Sequence, residues 1–160
     1  MADPPITYRG VVYPWQCDQM GHMNVAWYVA KFDEATWTLF ANMGMTAEWL
    51  QATNRGMAAL EQKITYRREL RPGDVVTVRT RVVEVREKVI LFVHEMARTD
   101  TGEVAATTEL TAVHLDLATR KSAVLPPDVA AAARAMVETG DSHLISPVVP
   151  LASQDGSSGK

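Results

Sequence analysis

From Val25 to about Met43 the chain carries apolar side chains round almost the whole circumference of a helix, and no other feature limits the fold so strongly. Val25, Tyr28, Val29, Phe32, Ala35, Leu39 and Met43 follow helical spacing and make one apolar face. Trp27, Trp37, Phe40 and Ala41 fill much of the rest, and Lys31, Asp33 and Glu34 are the only charges. A helix apolar nearly all round is buried on most sides. At 160 residues the chain is one domain by length, so the remainder of that domain has to wrap this helix.

The wrapping is legible as strands. Residues 6–15 hold Ile6, Tyr8, Val11, Val12, Tyr13 and Trp15 and read as a first strand, with Pro14 at its end or on an edge. After the long helix Gly44 is a C-terminal stop, and Thr46 to Asn54 reads as a short helix capped by Thr46. Asn54-Arg55-Gly56 then makes a turn. From Leu60 the period changes to two, with Leu60, Gln62, Ile64 and Tyr66 on one face. Arg71-Pro72-Gly73-Asp74 is a turn by its chemistry. Val75–Arg86, Val89–Arg98 and Val104–Leu117 are three further strands, the doubled Val82-Val83 marking a bulge. Pro126-Pro127-Asp128 opens an Ala-rich helix to about Glu138, and the apolar pattern fails from Leu144 onward. Four consecutive strands with tight turns predict an antiparallel meander curled round one helix, an α+β architecture. We expect one domain over residues 1–143 and a flexible tail over 144–160.

Composition excludes several classes. Hydrophobic residues make up 47% and charged residues 22%, the balance of an ordinary globular protein. The net charge of −3, with no basic block, gives no nucleic-acid signature. Cys17 is the only cysteine, which excludes an internal disulfide and fits a reducing compartment. The N-terminus has no signal-peptide character, and no run reaches the length of a membrane span. The expected location is the cytoplasm.

The chemistry gathers where the long helix begins. Asp18-Gln19-Met20-Gly21-His22-Met23-Asn24 puts an acid, a glycine, a histidine and an asparagine just before it. Asn24 is a good N-cap residue, and the first turn of a capped helix presents backbone N–H groups at its partly positive end. A carboxylate, an imidazole and free N–H donors in one small region are equipment for attacking a carbonyl and stabilising the oxyanion.

Two patterns in this chain resemble the hotdog-fold acyl-CoA thioesterases, in the 4-hydroxybenzoyl-CoA thioesterase-like branch. The first is Asp18-x-x-Gly21-His22-x-Asn24-x-x-x-Tyr28, followed by Phe32-Asp33-Glu34-Ala35. The second is Tyr66 followed by Leu70-Arg71-Pro72-Gly73-Asp74-Val75-Val76-Thr77-Val78. The element order fits from about residue 6 to 138. The resemblance implies a hotdog fold, an antiparallel sheet wrapped around one long central helix. It implies hydrolysis of an acyl-CoA to acid and CoA, with no metal and no cofactor beyond the coenzyme A of the substrate. It implies a homodimer or homotetramer with sites at the subunit interface. Many members carry an arginine where this chain has Thr36.

By the same resemblance Asp18 is the catalytic carboxylate, attacking the carbonyl directly or activating a water. On its own residues Asp18 is equally an Asx-type turn before a helix. Val25 is implied as the residue whose N–H polarises the carbonyl, a role that passes to Ala26 if the helix starts one residue later. His22 is a supporting residue that orients Asp18 or touches substrate, or a structural loop histidine. Asn24 is first an N-cap. Tyr28 is a packing residue whose hydroxyl is also a candidate for the acyl pocket. Glu34, about 13–15 Å along the helix from its start, is too far to share a carbonyl with Asp18. Cys17 has no activating partner except His22. Arg86, Lys88, Arg120 and Lys121 are candidates for the CoA phosphates or a solvated sheet end, and are not assigned. Two alternatives remain: an enoyl-CoA hydratase-like hotdog enzyme, whose Asp-x-Asn-Pro-x-His pattern is absent here, and a non-catalytic acyl-CoA-binding module.

Overall fold

The computed structural model describes residues 3–138, so the expected tail over 144–160 and the end of the expected domain lie outside the described residues. Strand β1 is Ile6–Val11, helix α1 Val25–Asn42 and helix α2 Ala47–Thr53. Strands β2 (Arg55–Tyr66), β3 (Val75–Val85), β4 (Val89–Arg98) and β5 (Val104–Asp116) follow. A two-residue strand β6, Lys121–Ser122, and helix α3, Pro127–Glu138, complete the described chain. All strand pairs are antiparallel, in the order β1-β3-β4-β5-β2, with β6 against the end of β5.

The sheet curls round α1 and buries it by halves. Tyr28, Phe32 and Ala35 pack with Val12, Met23, Leu70, Val76, Val78 and Met96 at one end. Leu39, Phe40 and Met43 pack with Val82, Ile90, Phe92, Leu110, Leu125 and Val129 at the other, where α3 closes the core. No described helix is long and apolar enough to cross a membrane.

Several boundaries and faces differ from the sequence expectation. The first strand ends at Val11; Pro14–Gln16 form a 3-10 turn, because proline at its first position favours that geometry. Strand β2 starts at Arg55 rather than Leu60, since Asn54 in the left-handed conformation reverses the chain within one residue. A bulge between Ala59 and Glu61 shifts the parity of β2, so Leu60 is 63% exposed instead of buried. The four strands do not form a simple meander. β1 occupies the free edge of β3, so β2 lies at the far edge, beside β5. The expected bulge at Val82-Val83 is present between Val82 and Glu84.

Helix α1 is also less evenly buried than its composition implies. Val25, Val29 and Trp37 are exposed, whereas Lys31 is buried, its Nζ donating to Tyr8 Oη at 2.9 Å and to the Val11 carbonyl at 3.3 Å. Thr36 is buried too. It donates to the Phe32 carbonyl and bonds His94 Nε2 at 2.8 Å, while His94 Nδ1 meets Thr80 Oγ1 at 2.5 Å. Thr80 in turn reaches Thr7 at 2.6 Å. This polar chain joins β1, β3, β4 and α1 through the core, and its neutral imidazole stacks on Phe32. A cationic arginine at position 36 would not fit it.

Candidate active site

The segment between the 3-10 turn and α1 is a closed loop. Cys17 pairs with Met23 in an antiparallel bridge. Asp18 N–H donates to the His22 carbonyl, and Gly21 N–H to the Asp18 carbonyl. Gly21 makes the reversal with φ +84°, which glycine adopts without a side-chain clash. The loop is anchored from outside by Met23 N–H to the Leu70 carbonyl and by Asn24 N–H to the Gln16 carbonyl.

Within that loop Asp18 is held by two donors. Met20 N–H reaches Oδ1 at 2.9 Å and Asn24 Nδ2 reaches Oδ2 at 2.8 Å. These bonds, the Asn24 one foremost, hold the carboxyl below its usual range, so Asp18 is an anion at neutral pH. It is at once an Asx turn and a candidate reactive carboxylate; the two readings of the sequence describe one residue.

Asn24 is the N-cap, and its Oδ1 accepts from Ala26 N–H at 3.0 Å. Trp27 N–H is taken by the Asn24 carbonyl. Among the described residues no acceptor faces the Val25 N–H. The first turn of α1 therefore keeps Val25, not Ala26, as its open donor. That donor stands at the helix's positive end on a residue 56% exposed.

His22, Met23 and Val25 form one wall of an open cleft of about 270 Å³; the other wall is Tyr66 to Glu69, with Tyr28 between them. His22 Nε2 lies 3.4 Å from Glu69 Oε1, so its contact spans the cleft. The side chain that orients Asp18 is Asn24. Tyr28 is 4% exposed and its hydroxyl donates to the Arg68 carbonyl at 3.2 Å, with the ring edge-on to Tyr66 at 5.1 Å. Burial pushes its ionisation up to about 12. The hydroxyl is thus committed to the backbone, and Tyr28 presents its ring rather than a polar handle.

The other candidates stay apart from this cluster. Glu34 is exposed on α1, nearly three turns beyond the capped end. Cys17 Sγ leans on the Tyr13 carbonyl at 3.7 Å. Partial burial and the carboxylates of Asp18 and Asp74 push its thiol up, away from a reactive thiolate. Arg86 is engaged by Glu84 at 2.9 Å in the β3–β4 turn. Among the described residues no group of three or more His, Cys, Asp or Glu side chains is placed to hold a metal ion.

The chain as a whole is similar to known proteins. The thioesterase-like superfamily model matches residues 12–133. The chain is 28% identical over 138 residues to a betainyl-CoA thioesterase of Pseudomonas aeruginosa, covering 86% of this chain and 87% of that one. It is 26% identical over 111 residues to a long-chain acyl-CoA thioesterase of Escherichia coli, covering 69% and 83%. Among solved structures, a Staphylococcus aureus protein in complex with CoA superposes with a TM-score of 0.84 at 20% identity, covering 92% and 93%. A 1,4-dihydroxy-2-naphthoyl-CoA thioesterase of Synechocystis does so with a TM-score of 0.72 at 17% identity, covering 81% and 95%. At those identities the superpositions speak for the fold alone. With a family match spanning most of the chain and a helix wrapped by a six-strand antiparallel sheet, this protein belongs to the thioesterase-like superfamily and is a hotdog-fold thioesterase.

Proposed function

We propose that the protein hydrolyses acyl-CoA thioesters to a free acid and CoA at the Asp18–Val25 locus. The observation that carries this is the Asn24 amide. One end fixes the Asp18 carboxylate; the other caps the helix at Ala26 N–H, beside Val25, which lines the cleft and whose own N–H has no acceptor among the described residues. A thioester carbonyl accepting from Val25 N–H is polarised there, and the charge that develops on its oxygen meets the helix's positive end. Asp18 then adds to the carbonyl carbon, or takes a proton from the water that does. The carbon–sulfur bond breaks, the CoA thiolate leaves and gains a proton, and water supplies the oxygen of the acid. No metal or cofactor beyond coenzyme A is needed in this sequence of steps. The relatives act on acyl groups as unlike as betainyl and long alkyl chains by name, so the acyl group has to be read from this chain's own residues.

We further propose a homodimer joined along β2, whose outer edge is unpaired among the described residues and whose residues 59–63 are exposed. The single Cys17 fits a reducing compartment, the cytoplasm. Thiol release from a panel of acyl-CoAs tests the reaction. Free CoA with stoichiometric acid is expected; bound acyl-CoA with no thiol, or hydrated enoyl-CoA with no thiol, would replace it with a binding module or a hydratase.

A further inference from the structure

The turn Arg71-Pro72-Gly73-Asp74 belongs to the second sequence pattern, and no step of the reaction above uses it. It nevertheless bears on both outside anchors of the reactive loop. Asp74 closes the turn: its Oδ2 accepts Arg71 N–H at 2.8 Å, and its own N–H donates to the Arg71 carbonyl at 3.0 Å. The residue before Arg71 is Leu70, fully buried, whose carbonyl takes Met23 N–H at 2.7 Å. On its other side the turn grips Val12. Gly73 N–H donates to the Val12 carbonyl and Val12 N–H to the Asp74 carbonyl, both at 2.8 Å. Val12 leads into the 3-10 turn, whose Gln16 carbonyl takes Asn24 N–H at 2.9 Å. Two routes thus run from one turn to the adjacent residues Met23 and Asn24, and Asn24 Nδ2 holds Asp18.

Both routes are made of main-chain bonds, and the Asp74 carboxylate is the side chain that closes the turn between them. Its other contact, Oδ1 to Arg98 Nη2 at 3.8 Å, is partly solvated, and that guanidinium is held by Asp100 at 2.8 Å, so it adds little. The bond to Arg71 N–H is therefore what orients residue 71, and with it the Leu70 carbonyl next to it in the chain. The leverage on the reaction is large, because a misplacement of about 1 Å at a reacting group costs up to about a hundred-fold in rate.

We propose that Asp74 is a positioning residue: by closing the 71–74 turn it sets the places of Leu70 and Val12, and through them those of Asn24 and the Asp18 carboxylate. This rests on the thioesterase reading above. Because Asp74 acts through Asp18, its loss matters only while residue 18 is a carboxylate. The test is a double-mutant cycle in kcat, followed by thiol release from the acyl-CoA of the panel that wild type hydrolyses fastest. Asp74→Ala should lower kcat by about ten-fold or more in the wild-type background, and by about two-fold or less in Asp18→Asn. Asp74→Asn keeps an oxygen for Arg71 N–H and should hold kcat within about three-fold of wild type. Gly73 stands at φ +92° with open space around an added Cβ, so Gly73→Ala strains the same turn more gently. It should repeat the pattern of Asp74→Ala, and it carries the test if that variant does not fold. Val129→Ala, in the other half of the core, controls for lost stability and should keep kcat near wild type. An undiminished kcat in the turn variants, the same loss in both backgrounds, or an equal loss in Val129→Ala overturns the proposal while leaving the thioesterase reading in place. Thiol release by wild type from no acyl-CoA at all overturns both.

Discussion

Asn24 uses both ends of one amide: Nδ2 holds Asp18 and Oδ1 caps α1. The cap was legible in the sequence, because asparagine before an apolar helical run is a start signal. The bond to Asp18 was not, because it depends on a loop closed by Gly21 that brings residue 24 back over residue 18. The sequence left His22 open between orienting Asp18, touching substrate and a structural role, and its side chain meets Glu69 from a different segment. Two substitutions separate the roles. Asp18→Asn keeps size and a carbonyl oxygen but loses the anion, and turnover should fall by about 10²–10⁴. Glu34→Gln, in the same assay, should change little. Retention of more than a tenth of turnover in Asp18→Asn, or a dead Glu34→Gln, would move the chemistry elsewhere. Val25→Pro is sharper. Proline is favoured at the first helical position, and Asn24 already has the extended backbone that must precede it. The helix should survive while the open donor disappears. The expected loss is about 10²–10³ in kcat, the cost of one oxyanion donor, with melting temperature close to wild type. Unchanged kcat would assign the polarising group to some other donor.

At the level of elements, helix and strand periods were readable because hydrophobic spacing is local. The order of strands in the sheet was not, because nothing between Tyr66 and Val75 states that β2 must pair with β5 rather than β3. Nor did the alternation around Leu60 betray the bulge that exposes it. The tether between β1 and α1 was equally hidden. Lys31 is buried with Tyr8 Oη and the Val11 carbonyl as its acceptors, and the Tyr8 ring lies over Gly10. A Cβ at Gly10 would fall 2.2 Å from Tyr8 Oη, so Gly10→Ala must displace the ring and leave the ammonium short of a partner. A loss of about 1–3 kcal/mol in unfolding free energy is expected by denaturant titration; an unaffected midpoint would show that the ring has room to move. The exposed edge of β2 makes a prediction of the same scale. Sedimentation at micromolar concentration should give a dimer, and an active species at the 17.6 kDa of one chain would rule the pairing out.

For the molecule as a whole, the Thr7–Thr80–His94–Thr36 chain fixes how stability follows pH. Burial drives the His94 ionisation from 6.5 down to about 3. The unfolded chain takes up this proton near pH 6.5 and the folded chain does not until about pH 3. Stability from this group is therefore full above pH 6.5 and is lost as pH falls through that window, at up to about 1.4 kcal/mol per pH unit. Melting temperature should decline from pH 7 to pH 5 in wild type and flatten in His94→Gln; a flat wild-type profile would contradict the buried neutral imidazole. The position of β2 has a further consequence, on the ribosome. β2 is complete at Tyr66, but its sheet partner begins only at Val104. At about 5–20 residues per second this leaves roughly 2–8 s between the two. During that interval the nascent strand carries two unsatisfied edges instead of one, in a crowd of neighbouring chains bearing the same strand. Only the arrival of β5 closes one of those two edges, so the order of synthesis leaves β2 open to wrong partners for longer than any other long strand of the sheet.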